Sequence, residues 1–152
     1  MELKSLLAPI STLVPTLDLR DPNSAEAALR HAFPPASDAV AAIERAARAA
    51  LAAGAIAHRG EAPMRFSRVI KPEADAGGAA VDCVYMEDCA GPAHTHPNGE
   101  VVLCFPDAPG ATFDGRADTW VVLPPASRHT PTVAGGSMLL LYWLPEGAVV
   151  WG

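Results

Sequence analysis

Basic side chains are in short supply: 11 Lys and Arg against 17 Asp and Glu leave the 152-residue chain with a formal charge of −6. Without a net positive field to draw phosphate backbones or anionic headgroups, nucleic acid and membrane surfaces are poor partners for it. Long apolar runs are missing too. The longest uncharged one, Met138 to Leu144, is far short of the roughly 20 residues that span a bilayer. Met1 to Lys4 does not open a secretory signal, so the expected location is the cytoplasm. Cysteine is scarce: Cys83, Cys89 and Cys104 are odd in number and form no CxxC pair. That spacing argues against both a disulfide framework and a thiolate zinc site, and the thiols are expected to be reduced, partly buried hydrophobes. Apolar residues, by contrast, make up 50% of the chain, which over this length suffices for one core and one domain, 1–152.

The chain changes character near residue 60. From residue 1 to 60 the apolar positions recur at helical spacing. Leu3, Leu6, Leu7, Ile10, Leu13, Val14 and Leu17 mark one face, which Pro9 and Pro15 are expected to kink or divide. A second helix is predicted to start at Pro22, to bury Leu29, Ala32 and Phe33, and to stop at Pro34-Pro35. A third is predicted from an N-cap at Ser37 or Asp38 to Gly54, burying Val40, Ile43, Ala47, Ala50 and Leu51, with Glu44, Arg45 and Arg48 on or near its solvated side. From 61 to 152 the helical period gives way to short strands: Met64 to Ile70, Ala80 to Met86, Glu100 to Phe105, Thr119 to Leu123, Met138 to Leu144 and Ala148 to Trp151. Breaks fall at Glu73 to Gly78, Pro97 to Gly99, Asp107 to Gly110, Pro124-Pro125 and Gly135-Gly136. With no helices between strands to make crossovers, the fold class is mainly β with N-terminal helices, a barrel or jelly roll preceded by an α-helical segment. Leu139, Leu140 and Leu141 place apolar groups on both faces of their strand, so helices or a second subunit must cover it.

Three histidines lie in the β half. Alternation along a strand points His94 and His96 to the same side. The turn Pro97-Asn98-Gly99 is expected to fold Glu100 back, as the first residue of the partner strand, with its carboxylate near both rings. His129, after the turn at Pro124 to Ser127, is placed to enter from a neighbouring strand. Imidazole and carboxylate donors suit a divalent transition metal, Fe, Mn, Ni, Co or Zn. An exposed histidine pair beside a turn, with no metal, is the alternative.

The order of His94, His96, Glu100 and, about thirty residues later, a Pro-containing turn ending in His129 resembles the two-motif signature of the cupin superfamily. That resemblance implies a cupin-like barrel with these four residues as metal ligands. The chain departs from the pattern at Asp88 and Ala126, where glycine is usual, and at Val133, where asparagine is usual. The strings RFSRVIKP (65–72), AGPAHTHPNGE (90–100), FDGRADTWVVLPPASRHTPTV (113–133) and LLYWLPEGAVV (140–150) together resemble the 4-hydroxylaminobenzoate lyase family. This implies conversion of 4-hydroxylaminobenzoate and water to 3,4-dihydroxybenzoate and ammonia in nitroaromatic degradation, with His94, His96, Glu100 and His129 at the catalytic centre. Glu100 is then either a ligand or a general base.

Such a substrate needs a cation for its carboxylate and an apolar slot for its ring. Met64 to Ile70, read as a strand, puts Phe66, Arg68 and Ile70 on one face, and a guanidinium between hydrophobes calls for a carboxylate. Arg68 is therefore a candidate for the substrate carboxylate, with an ion pair to Asp82 or Glu87 as the alternative. Trp120 and Tyr142 are candidate pocket walls. If Glu100 faces inward, Val102 and Cys104 line the pocket beside it, while Val101, Leu103 and Phe105 pack outward. Two other functions share these features, a cupin-type metal-dependent dioxygenase or isomerase acting on a small aromatic acid, and a non-catalytic small-molecule-binding cupin. The expected partners are a small aromatic acid and a second copy of the chain, as a homodimer.

Overall fold

The computed structural model describes residues 2–72 and 78–152. Of the break expected at Glu73 to Gly78, residues 73–77 lie outside the described residues. Helix α1 (Leu3–Leu13) continues through Pro9, and only at Pro15 does the chain pass into a 3-10 turn, Val14–Thr16. Pro9 thus does not divide the helix. It removes a single N–H, while Leu7 and Ile10 on either side are fully buried and anchor that stretch. Helix α2 (Pro22–Ala32) starts with Pro22 in its first turn and with the Asp21 carboxylate accepting the Ser24 N–H at 3.3 Å. Its inward face is Ala25, Glu26 and Leu29; Ala32 is exposed, contrary to expectation, because only Phe33 of the last turn packs back, against Trp120. Helix α3 (Asp38–Ala52) is capped by Ser37, whose Oγ accepts the Val40 N–H at 3.3 Å. No helix among the described residues is long and apolar enough to cross a membrane.

The remainder is antiparallel β-structure: β1 (Arg59–Glu61), β2 (Met64–Ile70), β3 (Ala79–Glu87), β4 (His94–His96), β5 (Glu100–Pro106), β6 (Thr112–Phe113), β7 (Trp120–Leu123), β8 (Ser127–His129), β9 (Val133–Ala134), β10 (Ser137–Pro145) and β11 (Val150–Trp151). A large sheet runs β1-β2-β3-β10-β5-β7, a smaller one runs β11-β4-β8, and β6 pairs with β9. This is the mainly β, N-terminally helical class that the sequence implies.

The large sheet separates two apolar compartments. On one side Leu139, Leu141 and Trp143 of β10 and Val101, Leu103 and Phe105 of β5 pack with the helices. On the other, Met138, Leu140, Tyr142 and Leu144 with Val102 and Cys104 fill the barrel. Both faces of β10 are covered within one chain, so that strand does not require a second subunit. Polar contacts hold each helix to the sheet. Trp143 Nε1 donates to Ser11 Oγ of α1 at 3.0 Å, and Trp120 Nε1 to Phe33 O at the end of α2 at 3.0 Å. Arg48 of α3, expected near the solvated side, reaches Asp107 at 2.7 Å and the carbonyls of Phe105 and Pro106.

Two local departures shape the barrel wall. In β2 the register against β3 slips, so that Arg68 lies opposite Asp82 but Ile70 opposite Val81. This bulge turns Ile70 to the helix side, and the expected face of Phe66, Arg68 and Ile70 is reduced to its first two members. Asp88 and Ala126, standing where cupins favour glycine, have φ of +48° and +64°. The left-handed turns persist without glycine.

Candidate metal centre and active-site cavity

His94 and His96 project from the same face of β4, and His129 on β8 is the direct cross-strand neighbour of His94. Glu100 arrives differently from expectation. The turn at Pro97 to Gly99 does not make a hairpin, because β5 belongs to the large sheet and β4 to the small one. The chain changes sheets at Gly99 (φ +83°), where a Cβ would lie 2.9 Å from Leu123 O. Glu100 therefore reaches the histidines from the opposite sheet, and the four ligand atoms lie within 4.8 Å of one another.

The hydrogen bonds around the cluster settle which nitrogens face it. His94 Nδ1 lies 2.9 Å from Pro92 O, and His129 Nδ1 lies 2.7 Å from Asp114 Oδ2. Both partners are acceptors, so each Nδ1 carries the hydrogen and each Nε2 turns a lone pair inward. The three Nε2 atoms are 2.9, 3.0 and 3.1 Å apart, and Glu100 Oε2 is 2.7 Å from that of His96. That carboxylate contact lacks hydrogen-bond alignment, and Oε2 is a buried acceptor without a donor. Acceptor atoms thus crowd one point, with only a hydrogen of His96 or of a protonated Glu100 to share among them. A cation relieves this. Ligands about 2.1 Å from a metal and at right angles to one another stand about 3.0 Å apart, the observed nitrogen spacing. The cluster can hold a metal ion, and its N,N,N,O donor set suits the divalent transition series.

Electrostatics agree. Burial holds His96 down at about 4 and His94 below the usual imidazole value, and burial pushes the Glu100 carboxyl up to about 8. Both effects favour uncharged groups, the state that a bound cation reverses for the carboxylate.

A cavity of about 540 Å3 opens onto the cluster through His94 and His96, with Tyr142, Val84 and Leu144 on its apolar walls. Burial keeps the Tyr142 hydroxyl well above the ordinary phenol value, so it remains a proton-bearing group. Arg68 lines the same cavity, its Nε 2.8 Å from Asp82 Oδ1. The ion pair that the sequence offered as an alternative is thus formed, at the cavity wall. Trp120 is not part of the wall. It lies opposite Leu103 on β7 and shares that residue's helix-facing side, in contact with Phe33 and Trp143. Val102 and Cys104 do face the barrel, and burial raises the Cys104 thiol far above its usual value.

Asp114 was not singled out from sequence. It sits with Gly115 in a tight turn closed by reciprocal Phe113–Arg116 backbone bonds of 2.8 and 2.9 Å, and its φ is +50°. Its second oxygen accepts the Thr132 N–H at 2.8 Å. The Asp-Gly pair signalled the turn, but nothing local signalled that its carboxylate would meet an imidazole fifteen residues on. Glu26 was also missed. Buried on α2, it accepts from Arg116 Nη1 and Nη2 at 2.7 and 2.8 Å and from the Val122 N–H at 2.9 Å. An acid on an apolar helix face was the available sign.

Comparison with known proteins gives a consistent set of likenesses. A family model described as "PnbB: 4-hydroxylaminobenzoate lyase" matches residues 10–151. A 4-hydroxylaminobenzoate lyase of Nocardioides sp. (strain LMS-CY) is 34% identical over 92 residues, 56% of this chain and 54% of the relative. One from Pseudomonas putida is 28% identical over 100 residues, 56% and 57% of the two chains. The matches therefore span about half the length of these relatives. Among solved structures, an RmlC-like cupin protein of Ralstonia eutropha JMP134 superposes with a TM-score of 0.45 at 15% identity over 60% of each chain.

Proposed function

The chain belongs to the 4-hydroxylaminobenzoate lyase family, and from that premise we propose that it converts 4-hydroxylaminobenzoate, or a related aryl hydroxylamine carboxylate, and water to 3,4-dihydroxybenzoate and ammonia in nitroaromatic degradation. The observation that carries this reading is the convergence of three imidazole Nε2 atoms and the buried Glu100 carboxylate at one end of a largely apolar cavity. His94, His96, His129 and Glu100 would hold one divalent ion, Fe, Mn, Ni, Co or Zn. Such an ion supplies a Lewis acid for the hydroxylamine oxygen.

In this reading hydroxide leaves nitrogen, a first water adds to the neighbouring ring carbon, and a second replaces the amino group as ammonia. The sum consumes one water and needs no oxidant. Val84 and Leu144 hold the ring and exclude bulk solvent, and Tyr142 presents a hydroxyl that keeps its proton and can donate to a polar atom of the substrate. Asp114 keeps His129 in the tautomer whose Nε2 faces the cluster.

The test is anaerobic incubation of the purified protein with 4-hydroxylaminobenzoate, measuring both products before and after chelation and metal add-back. Equal release of 3,4-dihydroxybenzoate and ammonia, lost on chelation and restored by metal, is the expected result. Folded, metal-replete protein that releases neither product overturns the reading. Turnover that requires dioxygen assigns the site to oxygenase chemistry instead.

A further inference from the structure

Among the described residues, the exposed large hydrophobic side chains are Phe66 (44% exposed), Val150 (55%) and Trp151 (67%). Two of them, Phe66 and Trp151, line the same cavity as the histidines. Neither is there by accident of a loose loop. Trp151 lies on β11 directly opposite His94, and the next residue is tied by Gly152 N–H to Ala93 O at 3.0 Å and by Arg128 Nε to Gly152 O at 3.1 Å. Its ring stands 5.1 Å from that of His94, inclined at 65°. Phe66 lies on the other sheet, with its ring against Gly60 of β1, where a Cβ would come within 3.0 Å of Phe66 Cε1.

The charge beside Phe66 is the second observation. Arg59 is its cross-strand partner, is exposed and lines the cavity. Arg59 takes part in none of the ion pairs found among the described residues. Arg68, by contrast, is matched by Asp82 through contacts of 2.8 and 3.4 Å. A matched pair presents a dipole to a third group, whereas an unmatched guanidinium presents its whole charge, at the rim of an apolar cleft where that charge reaches furthest.

We infer that Arg59, Phe66 and Trp151 form the outer half of the substrate site: the aromatic side chains take the aryl ring, and Arg59 takes a carboxylate para to the group that faces His94 and His96. The identity of this ligand rests on the lyase reading. Arg68 is then a wall residue held by Asp82, and a para carboxylate is preferred over an ortho one because Arg59 stands on β1 of the large sheet while the histidines stand on β4 of the small one.

Tryptophan emission supplies the readout, because Trp120 and Trp143 are buried on the helix side and Trp151 is not. The probes are 4-aminobenzoate, 2-aminobenzoate and aniline, none of which carries the hydroxylamine that reacts. Titration with 4-aminobenzoate is expected to change emission in the wild-type protein but not in Trp151→Leu. Arg59→Met should weaken 4-aminobenzoate by about tenfold or more, the loss usual for a charge-assisted hydrogen bond, and leave aniline unaffected. The ortho isomer should bind less well than the para isomer. An Arg59→Met protein that binds 4-aminobenzoate as the wild type does overturns the inference, as does an emission change that survives Trp151→Leu. These are binding measurements, so loss of the lyase reading would instead appear as intact 4-aminobenzoate binding without product from 4-hydroxylaminobenzoate.

Discussion

Asp114→Asn isolates the coupling between the tight turn and the metal cluster. Thr132 N–H donates to Asp114 Oδ1 at 2.8 Å, so an asparagine there must give its amide oxygen to Thr132 and turn its NH2 toward His129 Nδ1. That nitrogen, now facing a donor 2.7 Å away, has to accept, and the ring hydrogen moves to Nε2. The displaced hydrogen then sits on the atom that lies 3.0 and 3.1 Å from the other two imidazole Nε2 atoms, where it occupies the lone pair a cation would use. Asparagine tolerates φ of +50° as well as aspartate does, so the turn itself should persist. Loss of such an outer carboxylate costs about 10–100-fold in metal affinity, or roughly 1.4–2.7 kcal/mol. Competition with a chromophoric chelator for Zn and Mn gives the affinity, and thermal unfolding of the metal-free protein checks the fold. Affinity within about twofold of wild type would refute the tautomer argument, because the effect it requires is several times larger.

Ala126→Gly should stabilise the protein by about 0.5–1 kcal/mol, since the left-handed penalty for alanine exceeds the extra chain entropy that glycine carries. Asp88→Gly should gain less, because aspartate accepts that conformation more readily; urea midpoints for both variants decide the order. Glu26 gives a pH signature. Burial pushes its carboxyl up, but the Arg116 and Val122 donors outweigh this and hold it below its ordinary value of 4.5. A lowered folded value means stability that is complete above 4.5 and is lost as pH falls through the folded value. Glu26→Gln should therefore be less stable than wild type at neutral pH, with the gap narrowing below pH 4.5. A constant gap across an acid series of denaturation curves would remove the ion pair as its cause.

Much of this architecture was legible because its signals are periodic. The strand at Met64 to Ile70 is found with those limits, and the inward parity of Glu100, Val102 and Cys104 follows from alternation alone. Parity does not say which face the helices cover, however, and Trp120 shows the consequence. Its side is set by pairing with Leu103, a long-range fact. Strands of two or three residues, such as β6 and β9, are too short to alternate detectably. The bulge between Arg68 and Ile70 breaks a pattern that the sequence keeps regular. Local rules bring His94, His96 and Glu100 together, and all three do converge, but the route given to Glu100 is wrong, because a turn that joins two sheets reads the same as one that joins two strands.

The division of β10 between two compartments bears on how this protein can change. Leu139, Leu141 and Trp143 serve the helix-side core, whereas Met138, Leu140, Tyr142 and Leu144 face the barrel. Along one strand, odd positions serve the helix-side core, while of the even ones Tyr142 and Leu144 shape the cavity and Met138 and Leu140 fill the barrel core. A library confined to Tyr142 and Leu144 can alter the cavity wall without touching the helix-side core, whereas Met138 and Leu140, 2% and 0% exposed, draw on stability as any core residue does. The two ledgers meet at the turn through Asp114 and Arg116, one residue tied to His129 and the other to Glu26. Variation there trades foldedness against chemistry directly, and it is the place where adaptive change should be slowest.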